Sequence, residues 1–108
     1  MVQTVRDDRR GTPRTPAVFP VALESDTKGA RHGVTRDLSE KGLLVVTPTR
    51  FSKGDRIKIK VQQPSGVGLD VVGRVMRVDE NPISSPELWR YRVGVMLDEP
   101  LPSDLVSR

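Results

Sequence analysis

The chain has no cysteine and a single histidine, His32, in 108 residues. The first absence excludes structural disulfides, thiolate-bound zinc and thiol nucleophiles. The second leaves too few imidazoles for a histidine metal site, and His32, in strand-like sequence beside Gly33, is expected to be a surface or packing residue. Aromatic residues are scarce as well, with two Phe, one Tyr and one Trp. Val, Leu and Ile must therefore build the core, and a protein that stacks single-stranded bases on exposed rings would have little to stack them on. No apolar run approaches the roughly 20 residues of a transmembrane helix. Met1 leads into polar sequence rather than the apolar stretch of a secretory signal. The expectation is a soluble, cytoplasmic chain. No glycine-rich loop opens a helix for phosphate, so a binding protein without a cofactor is expected rather than an enzyme.

What the chain does have is a basic excess: 18 Lys and Arg against 14 Asp and Glu, a net charge of +4. That attracts anions in general but lacks the dense basic face of a protein that lives on duplex nucleic acid. No DNA or RNA partner is expected. Residues 1–16 hold Arg6, Arg9, Arg10 and Arg14 with two prolines and a glycine, and only Val2 and Val5 as aliphatics. Nothing there offsets the entropy of ordering, which predicts a flexible arm that folds when something binds it. Residues 17–108 are expected to form one domain.

From Ala17 onward the apolar period is two. Phe19, Val21 and Leu23 predict a first strand, Ala30 to Asp37 a second, and Leu43 to Val46 a short buried third. Arg56 to Val61 is the cleanest alternation, Val71 to Val78 follows, and Tyr91 to Leu97 is the last. Gly73 inside its strand is read as a bulge or bend. Six short strands with turns at Asp26–Gly29, Gly54-Asp55 and Pro64–Gly68, and no helical segment, predict an all-β fold. The architecture expected is a small six-stranded antiparallel barrel with at most a short helix at the C-terminus. Trp89 and Tyr91 are placed at its rim.

Two segments carry chemistry. Arg10-Gly11-Thr12-Pro13-Arg14 sets two guanidiniums four apart, on an arm that Gly11 and Pro13 keep from being helical. Such forks pair with phosphate oxygens or with guanine O6 and N7. Arg6 and Arg10 have the same spacing, so the residues alone leave the register of the pair open. Asp37-Leu38-Ser39-Glu40-Lys41-Gly42 supplies a carboxylate, a hydroxyl and a glycine at a strand end. As scaffold alone it is a turn in which Asp37 caps backbone N–H groups and Gly42 takes positive φ. As a site, Asp37 accepts from guanine N–H donors, Ser39 bonds a phosphate or base edge, and Gly42 leaves the approach open.

In this order, on a β pattern, RxxxR followed by DxSxxG resembles the PilZ domain, a bacterial receptor module for cyclic di-GMP. Gly73 to Val78 and Arg92 to Leu97 agree, so the resemblance spans about residues 9–98. It departs at Leu97, where the family often has Phe, and in the short C-terminal segment. The resemblance implies cyclic di-GMP as ligand, held by Arg9, Arg10 and Arg14 on the arm and by Asp37, Ser39 and Gly42 on the barrel. With Arg9 ahead of the pair, it implies an intercalated ligand dimer, although one or two molecules per protomer both stay open. It also implies an unidentified downstream protein and control of motility, adhesion, exopolysaccharide synthesis or virulence. A PilZ-like interaction module without ligand, and a small barrel that binds single-stranded nucleic acid, are the competing readings.

Overall fold

The computed structural model describes residues 15–102, with Thr15 and Pro16 given by their backbone. Arg6, Arg9, Arg10 and Arg14 lie outside the described residues, as does the segment after 102 where a short helix is expected.

Seven strands follow one another: β1 (Thr15–Pro16), β2 (Pro20–Ser25), β3 (Arg31–Ser39), β4 (Gly42–Thr47), β5 (Arg56–Gln62), β6 (Gly68–Glu80) and β7 (Tyr91–Leu97). Neighbours run β3-β2-β5-β6-β7-β4, and β4 returns to pair with β3. Every pairing is antiparallel, so six strands close into the expected barrel and its open edges disappear. The two-residue β1 is an addition that lies along the second half of β3, pairing Thr15 with Leu38 and Pro16 with Asp37. Sequence alternation did not suggest it, because two residues show no period.

Alternation builds the interior. Val21 and Leu23 from β2, Ile57, Ile59 and Val61 from β5, and Val93, Val95 and Leu97 from β7 all point into one apolar cluster. Leu97 is buried where the family often has an aromatic ring, and Phe51 and Leu101, which follows the last strand, are buried in the same cluster. The Leu101 N–H donates to the Glu40 carbonyl at 2.8 Å. The chain beyond β7 is thereby tied to the β3–β4 turn.

Two bulges break the alternation. Between Thr35 and Asp37 the register of β3 against β4 slips by one residue, leaving Arg36 extra. Between Val75 and Arg77 the same happens in β6 against β7, leaving Met76 extra. The irregularity expected at Gly73 falls three residues later. Gly73 is instead needed by packing: a β-carbon there would collide with the Met96 carbonyl oxygen of β7.

Candidate functional site

The bulge in β3 sets up the site. Before it, Gly33 and Thr35 face inward; after it, Leu38 does. The extra residue absorbs the change of phase, so that Arg36 and Asp37 are both half-buried positions on the outer side of the barrel. Across the sheet, Asp37 pairs with Leu44, Leu44 with Gly94, and Gly94 with Arg77. One row thus joins a carboxylate, a leucine, a glycine and a guanidinium on one outward face. The next row toward the turn is Ser39, Gly42 and Met96. Where the two rows meet, Ser39, Gly42, Met76, Arg77, Gly94 and Met96 line an open groove of about 270 Å³.

Ser39 and Gly42 pair directly, with Glu40 and Lys41 as a two-residue turn between them. Only Gly54 and Gly66 among the described residues have positive φ. Gly42 is therefore not a left-handed turn residue, contrary to the scaffold reading of its motif. It is a glycine because β7 passes close by: an added β-carbon would come within 2.7 Å of the Val95 carbonyl oxygen. Ser39 is 3% exposed, and its hydroxyl donates a long bond of 3.4 Å to the Gly42 carbonyl. The turn itself is fixed from the far side by the Leu97 N–H, which donates to the Lys41 carbonyl at 2.8 Å.

The root of the arm is anchored beside this face. Between β1 and β2 the ladder is interrupted at residues 17–19, and the Thr35 side chain fills the gap. Its hydroxyl donates to the Ala17 carbonyl at 2.7 Å and accepts from the Phe19 N–H at 2.8 Å. Thr35 is fully buried, so these bonds form away from water, where leaving either group unpaired is costly. Pro16 is held opposite Asp37 as a result.

Sequence spacing gave no sign of the other polar structure here. Arg36 reaches the loop between β6 and β7, where its Nε and Nη2 donate to the Glu87 carboxylate at 3.0 and 2.7 Å. The hydrogen bond from Arg36 is the main cause that holds the Glu87 carboxyl below its usual range, with burial acting against it and the charges of Arg36 and Arg92 acting with it. Arg36 is in turn raised by Glu87. Two residues on, the Trp89 ring packs edge-on against His32, 5.4 Å between centroids. The Asn81 side chain closes the loop by donating to the Trp89 carbonyl at 2.8 Å. With Glu87 on Arg36 and Trp89 on His32, the loop lies along the outer side of β3. Only a signal linking positions 51 apart would have exposed this pair.

None of the four aromatic side chains is fully exposed: Phe51 is core, Phe19 packs against it, and Trp89 and Tyr91 are half-buried. Tyr91 carries the Arg50 guanidinium 5.9 Å from its ring centre. A stacking platform for single-stranded bases does not assemble from these rings. Among the described residues no group of His, Asp or Glu could hold a metal ion, and no helix is long and apolar enough to cross a membrane.

The barrel is similar to solved structures. One is the Bacillus subtilis inhibitor of motility MotI/DgrA, at a TM-score of 0.65 and 20% identity over 89% of this chain; the chain spans 45% of that protein's length. Another is the PilZ domain of YcgR from Escherichia coli with c-di-GMP, at a TM-score of 0.69 and 15% identity, covering 83% of this chain and 78% of that one. Such identities speak to the fold. No curated protein matches the chain significantly in sequence. The sequence model of the PilZ domain, however, matches residues 8–107, nearly the whole chain including both arginine-rich and DxSxxG segments, and on that match the chain belongs to the PilZ family.

Proposed function

We propose that this chain is a cyclic di-GMP receptor whose arginine arm folds over the ligand and presents the resulting surface to a partner protein. One observation carries the proposal: Pro16 pairs with Asp37 and Thr15 with Leu38. Arg14 directly precedes Thr15 in the sequence. The two residues that follow the arginine motif in sequence are thus paired with the strand that carries Asp37 and Ser39. Membership of the PilZ family and the likeness to a PilZ domain solved with c-di-GMP support the same ligand.

In this proposal Arg10 and Arg14 clasp the phosphates and guanine edges, with Arg9 available to a second ligand molecule. Asp37 accepts from the guanine N–H donors. Ser39 turns its hydroxyl from the long bond to Gly42 toward the ligand, and Gly42 lets β4 and β7 lie close enough to form the groove. The chain divides functionally into residues 1–16 as arm and 17–108 as barrel, with binding rather than catalysis as its activity. Motility, adhesion, exopolysaccharide synthesis and virulence are the processes such a module would control from the cytoplasm. Calorimetric titration of the whole chain with cyclic di-GMP, beside a single-stranded oligonucleotide at two salt concentrations, tests this directly. The expected result is saturable binding of the dinucleotide only. Oligonucleotide binding that weakens with salt and ignores sequence would replace it with the nucleic-acid reading, and no binding of either with the ligand-free interaction module.

A further inference from the structure

The loop between β6 and β7 holds two large aliphatic side chains in solvent. Ile83 is 92% exposed and Leu88 63%. Single apolar residues scattered over a surface are ordinary. This pair differs because the loop that carries it is fixed rather than free. The Asn81 N–H donates to the Arg90 carbonyl at 2.7 Å, which joins the two ends of the loop. Inside it the Ser85 N–H donates to the Pro82 carbonyl, and the Ser85 hydroxyl accepts from the Glu87 N–H. From Ser85 onward burial alternates. Glu87 and Trp89 turn onto β3, where they meet Arg36 and His32, and Leu88 and Arg90 are left exposed. A loop ordered in this way shows its apolar side chains with little conformational entropy left to lose on binding.

Charge decides what fits them. Glu87 is taken up by Arg36. At the base of the loop Arg90 and Arg50 share one carboxylate: Arg90 Nη2 donates to Glu80 Oε1 at 3.2 Å and Arg50 Nη1 to Glu80 Oε2 at 3.1 Å. Each guanidinium reaches it through one nitrogen, and both side chains are more than half exposed. Glu80 therefore holds the two in place with positive charge left over and with most of their N–H donors still facing water. Arg50 is fixed a second time by the Tyr91 ring. Apolar groups beside placed guanidiniums match a partner with apolar and carboxylate side chains. A second copy of this chain fits poorly, since a two-fold contact sets the same guanidiniums against each other. A bilayer fits poorly as well: two aliphatic side chains bury less hydrocarbon than one acyl chain, which alone anchors only marginally.

We infer that the β6–β7 loop is a docking surface for an acidic, amphipathic segment of a partner protein, with Ile83 and Leu88 as its apolar anchors and Arg50 and Arg90 as its cations. The surface goes beyond the receptor reading: it uses neither the arm arginines nor the groove beside Ser39.

The test titrates the full chain, without nucleotide, with a synthetic amphipathic helix that has leucines on one face and glutamates on the other. Binding is read by calorimetry and from the amide NMR signals. The expected result is saturable binding that moves the signals of residues 81–90 and of Arg50. Ile83→Ser and Leu88→Ser are expected to melt as wild type, because both side chains stand in solvent, and each to lose roughly tenfold in affinity. A helix with lysines in place of the glutamates is expected not to bind. No binding of the acidic helix, shifts confined to other parts of the barrel, or wild-type affinity in both variants would overturn the inference. Equal binding of the lysine helix would overturn it too, by removing the charge argument. So would association with phosphatidylglycerol vesicles that both variants abolish, which would make the loop a lipid contact. All of these outcomes leave cyclic di-GMP binding untouched, so the receptor reading stands or falls on its own titration.

Discussion

Arg36 and Asp37 are neighbours in the chain with divided labour. Arg36 turns to Glu87 and holds the β6–β7 loop against β3, while Asp37 stays with the row that leads to the groove. Because Glu87 is held below its ordinary value of 4.5, chiefly by the Arg36 hydrogen bond, its contribution to the folded state is complete above that pH. It is lost as the pH falls through the lowered folded value. Both side chains are about a quarter to a third exposed, which limits the pair to about 1 kcal/mol. Trp89 is the only tryptophan and sits on the same loop, so its fluorescence reports the event. Acidification below 4.5 is expected to shift Trp89 emission toward that of an exposed indole, and Glu87→Gln to show the shifted emission already at neutral pH. Identical acid profiles in the two proteins would contradict this. The sequence made Asp37, Ser39 and Gly42 legible because their spacing belongs to one hairpin. It left Arg36 and Glu87 hidden, since an ion pair across 51 positions has no local pattern. The positive φ expected of Gly42 in the turn reading is not there: its backbone is ordinary, and the neighbouring strand supplies the constraint.

Among the elements, the strands were the legible part. Arg56 to Gln62 alternates without interruption in sequence and in burial, because both its pairings are regular. The bulges were not legible, since an extra residue shows only against its partner strand. The consequential one is in β3. It turns Asp37 outward and leaves Thr35 inward at the break between β1 and β2, where one hydroxyl serves two backbone groups. Thr35→Val keeps the shape and removes both bonds. It is expected to destabilise the fold by about 1–3 kcal/mol in urea unfolding. It should also weaken cyclic di-GMP binding, because Pro16 would no longer be held beside Asp37. A variant that loses stability but binds as wild type would separate the anchoring of the arm from its function.

At the scale of the molecule, the sheet sets Thr15 and Pro16 beside Leu38 and Asp37. β3 is its central member: it carries Asp37 and Ser39, closes the ring by pairing with β4, and receives the root of the arm through β1. A net charge of +4 draws an anionic ligand without selecting one, so selectivity falls to the placed groups. The proposed function requires that arm arginines and barrel wall act on one ligand. The most direct measurement is calorimetry of the full chain with cyclic di-GMP, comparing wild type with the Arg10→Ala, Arg14→Ala double variant. Loss of their charge-assisted contacts should weaken binding at least about tenfold, and unchanged affinity would contradict a clamp formed by the arm.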